Sequence, residues 1–345
     1  MIDLQYVFYR FLKKIKKDFP KKEIINNKKA RHFLLGSVEH MNYGDQAINL
    51  AETCFFSKNG IRVIEIPESY LEDSFDLLKK YVRDDDVFYF HGGGNMGDVW
   101  PMQERWRQKV MQLFPTNRLV FLPQSVNYSE NSKLLADTIN LAEKTENLTI
   151  YLRDMGSYSF SKNVFPKNVR LKLVPDSVLT LDYSSLKDEG DEFDITTLMR
   201  KDSEKLKSVK VNFLLTWLEK QKKYQIHQSD TVRTSWKNVT SNTRAAFLRE
   251  KMREVASSRL IITDRLHGMV FAYITGRPVI VFDNNNHKIK NLYKTWLGDE
   301  DTIFFVDENI NNNEILAKID YFMHTKVSRK PKNGKFIEEL NDVFN

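Results

Sequence analysis

The chain has 345 residues, 41% of them hydrophobic and 29% charged, with Lys plus Arg at 53 against Asp plus Glu at 46 for a net charge of +7. That balance excludes a disordered polypeptide and a small disulfide-stapled module, and at roughly 150 residues per domain the length predicts two domains. The single cysteine, Cys54, cannot close an internal disulfide, which fits a reducing, cytoplasmic compartment, and its apolar helical surroundings read as core rather than nucleophile.

No run of about 18 apolar residues occurs, so no membrane-spanning helix is expected. Residues 1–22, MIDLQYVFYRFLKKIKKDFPKK, carry charges where a signal peptide would need an apolar stretch. Leu4, Val7, Phe8, Phe11, Leu12 and Ile15 recur at helical spacing, with Arg10, Lys13, Lys14, Lys16 and Lys17 on the other face. This pattern suits a helix lying on an anionic membrane surface, and equally one packed on its own protein with a solvated lysine face. The positive charge is otherwise diffuse and no nucleic-acid-binding motif accompanies it, so a nucleic-acid partner is not expected.

Beyond this segment, short runs of Val, Ile, Phe and Leu alternate with longer amphipathic stretches, the signal for βαβ units and parallel sheets. Strands are predicted at 32–37, 61–67, 86–92, 118–124, 148–154 and 171–176, then at 193–200, 259–264, 277–283 and 302–307. The acidic, apolar-poor stretch 182–194, broken by Gly190, reads as a linker. The expected division is a basic N-terminal segment 1–30, a first domain 31–185 and a second domain 186–345 with a basic tail. Two open parallel sheets in one chain place ligands in a cleft outside the carboxyl ends of their strands, and the motifs below all stand at such ends.

Asn42, Tyr43, Gly44, Asp45 and Gln46 follow the first strand and open a helix, whose free amides suit an anion or a hydroxyl; Asp45 also reads as a plain helix cap. HGGGNMGDVWP, residues 91–101, follows the third strand. Its glycines Gly92, Gly93 and Gly94 suit an anion-binding nest or a tight strand-to-helix turn, and its Asn95 and Asp98 separate it from dinucleotide and ATP loops. Gln124 and Ser125 could orient a sugar hydroxyl. Arg153 and Arg200 end strands where an arginine suits a dianion, or a surface pair with a neighbouring aspartate. In TDRLHGMVF, Asp264 ends a strand and Arg265, Leu266, His267 and Gly268 begin a helix. There the guanidinium can fork onto a carboxylate or phosphate, and the imidazole can pass a proton near neutral pH. Histidines and carboxylates show no metal-ligand spacing, and GxSxG is absent.

Taken together, GDQAI at 44–48, HGGGNMGD at 91–98, LPQS at 122–125, the Arg153 and Asp154 pair, RKDSE at 200–204 and TDRLHGMVFAYITGRPVIVFDN at 263–284 resemble the polysaccharide pyruvyl transferases over residues 35–300. The resemblance implies a GT-B-like α/β architecture of two Rossmann-type parallel-sheet domains with an interdomain cleft. It implies transfer of the pyruvyl group of phosphoenolpyruvate onto two hydroxyls of a sugar as a cyclic ketal, with phosphate released and no metal or cofactor needed. On this reading Arg265 and His267 are catalytic, His267 giving a proton to the methylene carbon, and Arg153, Arg200 and Gly268 join them in holding the donor. His91, Gly93, Gly94, Asn95, Asp98, Asn42, Asp45 and Gln124 fall to the acceptor side. With the basic N-terminus, the implied acceptor is an undecaprenyl-diphosphate-linked precursor of capsule or exopolysaccharide, met by a peripheral protein at the inner face of a bacterial plasma membrane. The competing expectations are a GT-B glycosyltransferase using a nucleotide sugar, and a non-catalytic scaffold that binds glycan or membrane.

Overall fold

A computed structural model describes residues 24–25, 30–200, 208–233, 238–325 and 331–341. The basic segment 1–22 lies outside them. The chain forms two compact units. Up to Val174 it runs through β1 (His32–Ser37), α1 (Tyr43–Lys58), β2 (Val63–Pro67), α2 (Glu68–Tyr81), β3 (Val87–Phe90), β4 (Gly93–Gly97), α3 (Pro101–Leu113), β5 (Arg118–Asn127), α4 (Lys133–Glu143), β6 (Asn147–Leu152), α5 (Met155–Val164) and β7 (Arg170–Leu173). Most of this stretch is the first unit, but Met41–Ala47 and Asp154–Gly156 group with the second.

The first unit's strands lie in the order β2-β1-β3-β5-β6-β7, all parallel, with β4 paired to β5 as well. Helices cover a parallel sheet on both faces, so its strands carry near-continuous apolar runs rather than alternating ones. Leu34 and Leu35 of β1 are both fully buried, and Phe33, Phe88, Phe121 and Ile150 fill one core. Succession runs outward from β1 to β2 and then returns to β3 on the other side of β1, which makes the ends of β1 and β3 the topological switch point.

β4 departs from the sequence reading. His91 and Gly92 interrupt a strand that then resumes, so β5 pairs with β3 over Arg118 to Phe121 and with β4 from Gln124 to Asn127. Gly93 and Gly94 are therefore strand rather than a nest or a strand-to-helix turn. The cause is close backbone approach: Gly97 adopts φ +138°, and a Cβ there would stand 1.9 Å from the carbonyl oxygen of Asn127.

Beyond Pro175 the chain continues through 3-10 turns Ser177–Thr180 and Ser184–Glu189, then β8 (Phe193–Leu198), α6 (Val209–Glu219), β9 (Ile226–Ser229), α7 (Ser241–Ala256), β10 (Ser258–Thr263), α8 (Leu266–Ile274), β11 (Val279–Phe282), α9 (Lys288–Leu292), β12 (Ile303–Val306), α10 (Asn312–His324) and α11 (Asn333–Leu340). The stretch read as a linker lies inside this unit. Tyr183 donates its amide to Ile274 at 2.9 Å and Leu186 is buried, so local acidity did not prevent packing. The second sheet is parallel in the order β12-β11-β10-β8-β9, and its switch point falls between β8 and β10. Two Rossmann-type α/β units in one chain give the GT-B-like fold class. Among the described residues, no helix is long and apolar enough to cross a membrane.

Candidate active site

In the second unit, the switch-point strands end in the residues singled out from sequence. Thr263 donates to the Leu198 carbonyl at 2.7 Å and accepts the Arg265 amide at 3.0 Å, while Asp264 accepts the Arg200 amide at 2.7 Å. These bonds tie the β8 and β10 ends together. Burial pushes the Asp264 carboxyl above the usual carboxylate range, against the opposing pull of the Arg200 amide and the guanidinium groups of Arg265 and Arg200. Arg200 and Arg265 are both buried.

Arg265 is held by a residue that no sequence motif marks. Asp230 takes its Nε and Nη2 in a bidentate fork, each at 2.8 Å. That contact fixes the guanidinium plane. No motif links positions 35 residues apart, so Asp230 carries no sequence signal; Asp176 was visible only as an acid closing a strand.

His267, the second residue of α8, has its Nε2 3.8 Å from a buried Asp176 carboxylate oxygen. Its ring lies against the turn after β1: a Cβ on Gly44 would stand 2.2 Å from Nδ1 and 2.7 Å from Cγ. Gly268 follows, packed on Thr263.

The turn that accommodates this ring was expected on the first domain but packs with the second unit. Tyr43 donates its amide to Thr231 at 2.9 Å and stacks on Phe247 at 4.1 Å between centroids, Asn42 bridges Val232, and Gln46 accepts from Arg244 Nε at 3.0 Å. The Asn42 side chain accepts the Gly44 amide at 2.9 Å, so Asn42 caps α1 and Asp45 lies in its first turn.

In the first unit, His91 Nδ1 lies 2.8 Å from Glu52 Oε2, and Glu52 Oε1 accepts the Gly92 amide at 2.8 Å. Glu52 was missed, although a lone acid in the apolar stretch AINLAETCFF was a signal. Gln124 donates to the His91 carbonyl at 2.7 Å, Gly93 pairs with Gln124, and Gly94 lies between them and Asn95 in β4. Arg153 donates from Nε to the Ser125 hydroxyl at 2.8 Å. Asn95 is engaged by Arg107, which also pairs with Glu104 at 3.0 Å.

Asp98 accepts from the Ser129 amide and hydroxyl and the Ser132 hydroxyl, all at 2.6 Å. Desolvation pushes its carboxyl up, but these three bonds outweigh it and hold it below the usual range. A depressed folded-state pKa contributes stability that is present above the unfolded value of about 3.9 and is lost as pH falls through the folded value. Urea midpoints should therefore separate wild type from Asp98→Asn at pH 7, and the gap should narrow near pH 3; an equal gap at both pH values would contradict this.

Among the described residues, no group of three or more His, Cys, Asp or Glu side chains is placed to hold a metal ion. The predicted site residues divide between the units: Arg153, His91, Gly93, Gly94, Asn95, Asp98 and Gln124 in the first, and Asn42, Asp45, Arg200, Arg265, His267 and Gly268 in the second.

Residues 42–286 match the sequence model of a family described as Polysaccharide pyruvyl transferase. General stress protein 30 of Bacillus subtilis is 32% identical over 93% of this chain and 93% of its own length. Pyruvyl transferase 1 of Schizosaccharomyces pombe is 30% identical over 76% of this chain and 69% of its own length. A solved structure of a functionally uncharacterised Klebsiella pneumoniae protein shares the fold, with a TM-score of 0.58 and 17% identity over 89% of this chain and 100% of that one.

Proposed function

Because the chain belongs to the polysaccharide pyruvyl transferase family, and is thus a transferase, we propose that its donor is phosphoenolpyruvate and its product a cyclic ketal on two hydroxyls of a sugar. The observation that carries this reading is the N-terminus of α8, where Arg265 and His267 stand at the switch point of the second sheet. A helix N-terminus favours anions, and phosphoenolpyruvate has two anionic ends. His267 gives a proton to the methylene carbon, which makes C2 an electrophile. One sugar hydroxyl adds there, phosphate leaves, and the second hydroxyl then closes the ring. Arg265, with Arg200 and Gly268, serves the donor, and Arg153 serves its other anionic end. His91, Gly93, Gly94, Asn95, Asp98, Gln124, Asn42 and Asp45 remain the acceptor-side assignment. The reaction so written consumes only donor and diol, with neither metal nor cofactor.

Incubation with phosphoenolpyruvate and a panel of lipid-linked and nucleotide-linked sugars tests the reading. Phosphate release with a pyruvyl ketal mass gain on one acceptor is expected. Nucleotide release from a sugar nucleotide would replace the reading with glycosyl transfer, and binding without any product would leave a scaffold.

A lysine cannot reproduce the fork of Arg265, so Arg265→Lys is expected to weaken phosphoenolpyruvate binding about tenfold. Calorimetry reads this directly, and an unchanged dissociation constant would remove Arg265 from the donor site. The basic segment 1–22 is assigned to anionic lipid beside an undecaprenyl-diphosphate-linked precursor of capsule or exopolysaccharide. Deleting it should abolish flotation with anionic liposomes, and equal flotation of both forms would discard that assignment.

A further inference from the structure

Glu52 and His91 form a buried pair for which the chemistry above has no use beyond acceptor binding. Their side chains are 2% and 3% exposed, and α1 brings Glu52 to the point where β3 gives way to β4. Each carboxylate oxygen has its own partner: Oε1 accepts the Gly92 amide and Oε2 faces His91 Nδ1, both at 2.8 Å. An ionised carboxylate only accepts, so the ring nitrogen facing it carries the hydrogen. Nε2 is then the bare nitrogen, and it has no hydrogen-bond partner among the described residues. Gln124 repeats the pattern: its amide nitrogen is bound to the His91 carbonyl at 2.7 Å, while its buried Oε1 has no hydrogen-bond partner among the described residues. Gln124 is in register with Gly93, two residues after His91. Buried polar atoms are normally paired, and an unpaired one calls for an explanation in ligand or function. Two acceptors without donors among the described residues, one between β3 and β4 and one on β5, suit a ligand that brings donors, which a sugar diol does.

We propose that Glu52 is a positioning residue that fixes His91 as its Nδ1–H tautomer, so that Nε2 accepts the proton of the attacking sugar hydroxyl. The inference rests on the pyruvyl-transfer reading. The hydroxyl oxygen forms its bond to C2 as its proton passes to Nε2, and the methylene carbon gains the proton held by His267. The bond from C2 to the phosphate oxygen then breaks with its electron pair, the second hydroxyl oxygen bonds to C2, and the second hydroxyl proton leaves on phosphate. One proton exchanged with solvent returns both histidines to their starting states. Gln124 Oε1 orients the diol by accepting from its other hydroxyl.

The test begins with nitrogen-15 NMR of histidine-labelled protein, the His91 signal being identified by its loss in His91→Gln. The Nδ1–H tautomer is expected in wild type, and an Nε2–H tautomer would overturn the proposal. Glu52→Gln is expected to lower kcat at least about tenfold, because an amide can donate to Nδ1 and so favour the wrong tautomer. KM for phosphoenolpyruvate should not change, and Glu52→Asp should recover part of the rate. Wild-type kcat in Glu52→Gln, or an equal rise in the donor KM, would overturn it. If Glu52→Gln loses its cooperative melt, the wild-type tautomer and the Glu52→Asp rate decide alone. Absence of phosphate release from phosphoenolpyruvate with every acceptor in wild type would instead overturn the pyruvyl reading, and the base role with it.

Discussion

Replacing His267 with Ala is expected to reduce pyruvyl transfer by about 10²- to 10⁴-fold, the range for removing a positioned general acid. The fold should survive. The imidazole is at the start of α8, beside Gly44 and Phe271, and its side chain is 13% exposed, so truncation removes packing at a helix end and breaks no strand pairing. Phosphoenolpyruvate affinity should fall far less than turnover, because the lost group acts when the methylene carbon takes its proton rather than when the anion docks. The measurement is phosphate release beside calorimetry and a thermal melt of the same preparation. Turnover within a few-fold of wild type would remove His267 from the chemistry.

Every strand read from the sequence forms, because buried parallel strands announce themselves as unbroken runs such as HFLLGS and RLIITD. Among the described residues, the two strands missed are those without such runs. β4, GGNMG, has its apolar signal diluted by glycines that its close pairing with β5 requires, and β9, IHQS, is a short edge strand of mixed polarity. Position along the chain also misled where tertiary contacts overrode it. The turn 42–46 follows a first-unit strand, yet the aromatic and hydrogen-bond partners of Tyr43, Phe247 and Thr231, lie 204 and 188 residues later. The RLH segment was legible because cation, imidazole and helix start are consecutive. Asp230 and Asp176 were not, and Glu52 showed only as a lone acid in an apolar stretch, since each acts on a side chain far off in sequence and only the fold supplies that pairing.

Gly44→Ala separates local propensity from the demands of the site, and the two predict opposite signs. Within a helix, alanine is favoured over glycine by about 0.5–1 kcal/mol, and Gly44 belongs to the first turn of α1 without a positive φ. On that ground alone the variant should melt slightly higher. The added Cβ, however, would stand 2.2 Å from His267 Nδ1, 2.7 Å from Cγ and 3.0 Å from Cε1, so the ring must move. Displacing a reacting group by about 1 Å can cost on the order of 10²-fold in rate, and that is the loss expected in phosphate release. A cycle with His267→Ala isolates the cause. In that background there is no ring to displace, so Gly44→Ala should leave the residual rate unchanged while still raising the melting temperature. Wild-type turnover in the single variant would show that the imidazole position against Gly44 does not matter to the reaction. A further rate loss in the double variant would mean that Gly44 acts through the backbone of α1, not through His267.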